Sequence, residues 1–395
     1  MVQFAGRLEK IPPYLFGEMA RLKAEAVSEG WDLIDFGIGD PDQPTPQPII
    51  DKLAEAANEP ATHRYDETEY GWPVFIDAVA EWYVRRFGVD LDTEKGEVVT
   101  LIGSKEGLAH LAWAFIDPGD VALVPDPGYT VYKVNTAMAG GTAYSMPLLV
   151  ENCFLPDLAA IPADVARKAK LMYINYPNNP TGAIAPPEFF ADVVAFAKEY
   201  DIIVCHDAAY SEVTFDGYRA PSFLASPGAK DVGIEIHSLS KTYNMTGWRI
   251  GMAVGNPDVL RGLSKLKSNV DSKQFPAILA AGAYALGNLD GDPETLALYR
   301  KRRDIIIDGL NGLGWTLPKT KATLYIWAPI PPGCTSIEFA KTLLEKARIM
   351  VVPGIGYGEY GEGYIRLSLT VTGDKDGERV REAIERLQRN VEIRW

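Results

Sequence analysis

Residues 170–210 read KLMYINYPNNPTGAIAPPEFFADVVAFAKEYDIIVCHDAAY. An apolar run, KLMYINYP, leads through a Pro- and Gly-containing turn into EFFADVVAFAKEY, whose apolar residues recur at helical spacing. A second apolar run, DIIVC, follows. Strand, helix and strand in that order form a βαβ unit, and repeated units build a parallel sheet with helices on its faces.

The same alternation extends outward in both directions. EVVTLIG precedes the helical pattern KEGLAHLAWAF, and VALVPD precedes a helix predicted over 131–139. The fold class predicted is therefore α/β, with a mostly parallel central sheet flanked by helices, over a large domain spanning 46–287. Beyond it come a helix with a basic start, YRKRRDIIIDGLNGLGW, then TLYIWAPI, a helix near 336–347, RIMVVPG and YIRLSLTV. These make a smaller α+β domain, 288–395. At the other end, Leu15, Phe16, Met19, Leu22 and Ala26 predict an amphipathic helix over 13–29. The Pro- and Gly-rich DFGIGDPDQPTPQP that follows reads as an extended arm. Residues 1–45 are thus expected to join the small domain.

Bulk properties narrow the function classes. A chain of 395 residues exceeds one compact core, and 47% apolar with 23% charged residues is ordinary for a globular protein. A net charge of -14 has the wrong sign for a protein that works mainly on nucleic acid or anionic membrane, so any anion site must be built locally. Cys153, Cys205 and Cys334 are too few and too scattered for a disulfide framework. The start, MVQFAGRLEKIPPYLF, has no cationic stretch leading into an apolar core, and FPAILAAGAYALG is too short to span a bilayer. The expectation is a cytoplasmic protein.

Ligands of parallel sheets gather at the carboxyl ends of the strands, and four unusual stretches fall there. In GSKEG, 103–107, Ser104 is placed to cap a helix whose first-turn N–H groups attract an anion. NYPNNPTG, 175–182, is a turn that can aim one amide at a ligand. In CHDAAY, 205–210, Asp207 ends an apolar strand and needs a cationic partner, because burying a carboxylate alone costs several kcal/mol. SLSKTYNMTGWRIG, 238–251, sets Ser238, Ser240 and Arg249 around Lys241. Two hydroxyls and a guanidinium suit a phosphate dianion, leaving the lysine amine as a nucleophile. Taken singly, each stretch reads equally well as a capped helix, a plain turn, a salt bridge or a solvated loop. Together they describe a phosphate ester carrying an aldehyde for Lys241 and a protonated ring nitrogen for Asp207, and pyridoxal 5′-phosphate meets that description.

GSKEG, NYPNNPTG, HDAAY, SLSKTYNMTGWRIG and YIRLSLT resemble, in order, the class I/II aminotransferases of fold type I, over essentially the whole chain. IPPYLF, GIGDPD, LIGSKEG, PDPGYTVY and KSNVDS are similar to the LL-diaminopimelate branch of that family. The resemblance implies that Lys241 holds pyridoxal phosphate as a Schiff base and then moves a proton at the substrate Cα. Asp207 keeps the ring nitrogen protonated, Tyr210 and Asn179 bond the phenolic oxygen, and Tyr129 stacks on the ring. Ser104, Lys105, Ser238, Ser240 and Arg249 hold the phosphate, and Arg366 clamps the substrate carboxylate. Tyr14, Gly39, Lys105, Tyr129, Asn179 and Asn269 are implied substrate contacts. The family forms homodimers with shared active sites, so Tyr65 and Asn269 are expected to act across the interface. The implied reaction passes the amino group of glutamate to tetrahydrodipicolinate, serving lysine and peptidoglycan synthesis. A broader aminotransferase for aspartate, alanine or aromatic amino acids, or a C–S β-lyase, would share the cofactor residues.

Two departures from the family pattern bear on specificity. The loop HRYDETEYGWP is one residue longer between its tyrosine and glycine than expected, and its Asp66, Glu67 and Glu69 are either solvated or aimed at a distal substrate ammonium. After KSNVDS comes KQFPAI, with Lys273 where a glycine is expected and Pro276 close behind. Other readings are weaker. GYGEYG, 356–361, matches a dinucleotide fingerprint but precedes a strand and carries Glu359 beside Glu362. A non-catalytic regulator that binds pyridoxal phosphate finds little support, since Lys241, Asp207 and Arg366 are all present and the sequence shows no added DNA-binding module. His63, His110, His206 and His237 have no metal-ligand spacing, so no metal is expected.

Overall fold

The computed structural model describes residues 2–9, 11 and 15–390, so Tyr14 and the side chains of Leu15, Phe16 and Met19 lie outside the described residues. Strand β1 (Ile34–Asp35) belongs to the arm. A seven-stranded sheet follows, built from β2 (Val98–Leu101), β3 (Val121–Asp126), β4 (Thr142–Pro147), β5 (Ala169–Asn175), β6 (Ile203–Asp207), β7 (Gly233–Ser238) and β8 (Gly251–Gly255). Its order is β2-β8-β7-β6-β5-β3-β4. All neighbours are parallel except β8, which runs against both β2 and β7. The sheet is mostly parallel, as the sequence predicts, with one reversed strand.

Side-chain alternation along the strands explains the layering. Val98, Leu123, Met172, Val204 and Met252 point to one face and join a core with helices Pro73–Phe87, Pro187–Tyr200 and Pro276–Asn288. Their neighbours Val99, Val124, Tyr173, Cys205 and Ala253 point to the other, against helices Ser104–Phe115, Val131–Ala139 and Pro257–Lys267. The apolar helix Pro276–Asn288 is buried against helices Gln47–Ala57 and Pro73–Phe87. No helix among the described residues is long and apolar enough to cross a membrane.

The remaining strands form a second lobe. β9 (Tyr325–Pro329), β11 (Val352–Pro353) and β12 (Tyr364–Ser368) make an antiparallel sheet in the order β11-β12-β9. β10 (Ile349–Met350) pairs with the arm, Ile34 opposite Ile349. Helices Pro293–Gly312 and Glu378–Arg389 cover the lobe, and Phe36, Ile306, Leu310, Leu367 and Ile384 fill its core. Tyr210, Val213 and Phe215, just after β6, belong to this second core as well.

Two local expectations are corrected. The helix expected from Tyr299 starts six residues earlier, at Pro293, because proline suits the first helical position and Asp292 accepts the Thr295 N–H at 3.2 Å. Ser104 does not cap its helix. Gly103, at φ 75°, takes the cap position and Ser104 is the first helical residue.

Candidate active site

The reversal of β8 gathers the site. Leu101 at the end of β2 and Ser238 at the end of β7 both pair with Gly251 at the start of β8. The turn at 103–104 and the Lys241 loop therefore leave the sheet side by side, while β5 and β6 deliver Asn175 and Asp207 to the same edge. A cleft of about 770 Å³ opens there between the two lobes. It is lined by Gly39, Ser104, Lys105, Tyr129, Asn179 and Asp207, and by Tyr210, Ser238, Ser240, Lys241, Arg249 and Arg366. Twelve residues picked from sequence thus share one cavity. Tyr65 and Asn269 do not line it. Tyr65 is 77% exposed, and Asn269, also exposed, donates to the Lys265 carbonyl and the Ser268 hydroxyl.

Lys241 sits in a short helical turn, Leu239–Thr242, capped by Ser238, whose hydroxyl accepts the Ser240 N–H at 3.2 Å. Its ammonium donates to the Gly39 carbonyl at 2.9 Å. Burial pushes this ammonium down to about 8; the Arg366 and Arg249 charges push the same way and the Asp40 carboxylate opposes them. A Cβ at Gly39 would meet the Tyr325 hydroxyl at 2.1 Å, so any larger residue there forces a shift of the arm or of Tyr325.

Asp207 is buried and its carboxylate accepts from neutral donors, the Tyr132 hydroxyl at 2.8 Å and the Ala209 N–H at 3.3 Å. No lysine or arginine among the described residues pairs with it, so the cationic partner expected for Asp207 does not come from the described residues and the plain salt-bridge reading falls away. Burial raises its pKa, against the Tyr132 hydrogen bond. Asn175 donates to the Asp207 carbonyl at 2.7 Å and accepts the Asn179 N–H at 2.8 Å, tying two cleft residues together.

Arg366 projects from β12 away from Ile365 and Leu367, which lie in the small-lobe core. It donates to Asn179 Oδ1 at 3.1 Å and to the Gly37 carbonyl at 2.9 Å, and its guanidinium lies 4.0 Å from the Tyr325 ring centre. Its Nε is buried with no hydrogen-bond partner. Tyr210 and Tyr325 share a hydrogen bond of 2.8 Å.

The chemistry of the donors fits pyridoxal phosphate. Asp207 is a buried carboxylate short of a cation, Lys241 is an amine near neutrality, and the first N–H groups of helix Ser104–Phe115 stand beside Ser238, Ser240 and Arg249 as an anion cradle. A Cβ on Gly103 would meet the Arg249 guanidinium at 2.3 Å, so glycine lets the two halves of the cradle touch.

Sequence reading missed Tyr132, Asn175 and Tyr325. Tyr132 and Asn175 lie inside motifs already singled out, at the start of a helix and the end of a strand. Nothing in TLYIW marks Tyr325 beforehand. The acidic loop also needs correction. Glu67 and Glu69 are exposed, but Asp66 is buried, bonded to the Thr68 hydroxyl at 2.5 Å and 3.7 Å from Lys273, so its carboxylate is neither solvated nor free for a substrate.

A two-lobed fold with a lysine, an aspartate and an anion cradle at the ends of a mostly parallel sheet is the arrangement of a pyridoxal-phosphate enzyme. Residues 32–387 match the family model "Aminotransferase class I and II", and the chain belongs to that family. It is 58% identical to the LL-diaminopimelate aminotransferase of Moorella thermoacetica, with 98% of each chain covered. To the enzyme of that name from Desulforudis audaxviator it is 56% identical over 97% of each. Among solved structures, substrate-bound BacF from Bacillus subtilis superposes with a TM-score of 0.91 at 38% identity, covering 98% of both chains. The protein is an aminotransferase, with amino acids and oxo acids as substrates, in a family of pyridoxal-phosphate enzymes.

Proposed function

We propose that this enzyme transfers the amino group of L-glutamate to tetrahydrodipicolinate, giving LL-2,6-diaminopimelate and 2-oxoglutarate. The observation that carries the reading is identity of 58% over 98% of a chain bearing that activity in its name, in a protein whose cleft is lined by Lys241, Asp207, Arg249 and Arg366. Pyridoxal phosphate, when bound, supplies an aldehyde for the substrate amine and a cationic ring that accepts the electrons released at Cα.

The chain's own residues do the rest. Lys241 releases the Gly39 carbonyl, anchors the cofactor, and afterwards moves a proton at the substrate Cα as general base and acid. An amine titrating near 8 suits that exchange of roles. Asp207 holds a proton on the ring nitrogen, and the Tyr132 hydroxyl holds Asp207. Tyr210 and Asn179 hydrogen-bond the ring oxygen, and Tyr129 covers the ring face. Ser104, the Lys105 N–H, Ser238, Ser240 and Arg249 grip the phosphate. Arg366, which lines the cleft, takes the substrate carboxylate in the two-pronged geometry guanidinium favours. Gly39, Lys105 and Asn179 border the substrate. The active unit is a homodimer in which the exposed Tyr65 and Asn269 reach the neighbouring cleft.

The test is a rate comparison. With LL-diaminopimelate and 2-oxoglutarate the purified enzyme is expected to form glutamate at least ~100-fold faster than with aspartate, alanine or tyrosine as donor. Comparable rates would replace the assignment with a broad aminotransferase. Release of a thiol from a cysteine conjugate would replace it with a C–S β-lyase.

A further inference from the structure

The two departures from the family pattern, the acidic loop and Lys273, meet in space. Lys273 has φ +62°, a left-handed conformation unfavourable for any residue with a Cβ. Its N–H donates to Asp271 Oδ1 at 2.9 Å, which fixes the turn. Its ammonium donates to the Asp66 carbonyl at 3.3 Å and to the Thr68 carbonyl, and lies 3.7 Å from the Asp66 carboxylate, which is fully buried. A long, flexible cation ordered at a strained position, with only 12% of its side chain exposed, is gripping something.

The segment that carries it leads to the anion cradle. The next residue, Gln274, donates to the Leu101 carbonyl at 3.1 Å and reaches the Arg249 carbonyl at 3.5 Å. Asp271 also accepts from Lys267 at 3.1 Å, Lys267 donates to Glu106 at 3.0 Å, and Glu106 accepts the Ile102 N–H at 2.9 Å. Leu101 and Ile102, just before the turn at Gly103 and Ser104, are thus held from two sides. The Lys267 ammonium bridges Glu106 and Asp271, and His110 lies 2.6 Å from Glu106, so this cluster braces the turn.

We propose that Lys273 is a positioning residue for the phosphate subsite. Its ammonium clamps loop 66–68 onto segment 271–274, and that segment holds the 101–104 turn and Arg249 in register. The inference rests on the proposed reading of the cradle as a phosphate site. Lys273→Gly removes the ammonium while easing the backbone, and Lys273→Arg restores a cation.

Affinity of the cofactor-free protein for pyridoxal phosphate and for pyridoxal, which lacks the phosphate, separates positioning from general damage. Lys273→Gly is expected to weaken pyridoxal phosphate roughly tenfold, or ~1.4 kcal/mol. Pyridoxal affinity and kcat at saturating cofactor stay unchanged, hydrogen exchange at 66–71 speeds up, and Lys273→Arg recovers most of the loss. Wild-type affinity for pyridoxal phosphate in Lys273→Gly, or equal loss of both ligands, overturns the inference while leaving the function intact. A wild-type protein that binds no pyridoxal phosphate overturns the proposed function itself.

Discussion

Replacing Lys241 by methionine is expected to stabilise the cofactor-free protein at neutral pH, although it destroys activity. Burial lowers the lysine from its ordinary 10.5 to about 8. At ~1.4 kcal/mol per pH unit, that gap sets an upper limit of about 3 kcal/mol on the cost of the buried charge. At pH 7 the lysine is protonated in both folded and unfolded chains, so the cost is present in full. Between pH 8 and 10.5 the folded lysine is neutral while the unfolded one still binds a proton, and the wild type regains stability as pH rises. Methionine fills nearly the same space, and leaving the Gly39 carbonyl without its donor costs ~1 kcal/mol. The net advantage of Lys241→Met is then about 2 kcal/mol at pH 7, narrowing by about 1 kcal/mol at pH 9. Guanidinium denaturation of both cofactor-free proteins at the two pH values measures it, since titrations common to both cancel in the difference. An advantage that is absent at pH 7, or that widens with pH, refutes the claim that burial depresses this amine. The same depression makes the amine a nucleophile near neutrality, so stability and reactivity are set by one desolvation.

Two further substitutions probe the substrate side. Arg366→Lys keeps the charge but loses the forked donors, so KM for the amino donor is expected to rise ~10–100-fold with a smaller change in kcat, read from steady-state kinetics. Gly39→Ala puts a methyl group 2.1 Å from the Tyr325 hydroxyl and must shift the arm, lowering kcat/KM about tenfold and destabilising by ~1–3 kcal/mol in thermal melts.

The arm gives these effects a common frame. Phe36 accepts the Ser368 N–H at 2.7 Å, and Asp42 pairs at 2.9 Å with Arg302, a fully buried guanidinium that Asp374 also bonds at 2.6 Å. Just beyond, the Thr45 hydroxyl donates to the Asn244 carbonyl at 2.8 Å, three residues after Lys241. One short segment is therefore fastened to the small lobe at 36 and 42 and to the lysine loop at 45, with Gly39 between. Breaking either attachment would change how Gly39 meets Lys241.

How far the chain could be read without coordinates varied with the range of the forces involved. The alternation of apolar runs with helical patterns identifies the α/β architecture, because strand and helix periods are local consequences of backbone geometry. The lining of the cleft was legible too: Lys241, Asp207, Ser104 and Arg249 sit in short motifs at strand ends, where parallel sheets place their ligands. The reversed β8, Tyr325 beside Tyr210, and the Tyr132 hydroxyl on Asp207 were not legible. Each depends on which distant segment packs where. Asp66 and Lys273 show this most plainly, since they lie about two hundred residues apart and look like unrelated oddities until the fold brings a buried carboxylate against a strained lysine. Local composition told what kind of chemistry this protein can hold; long-range packing, which removes water and pairs charges, decided which of its polar residues are free to perform it.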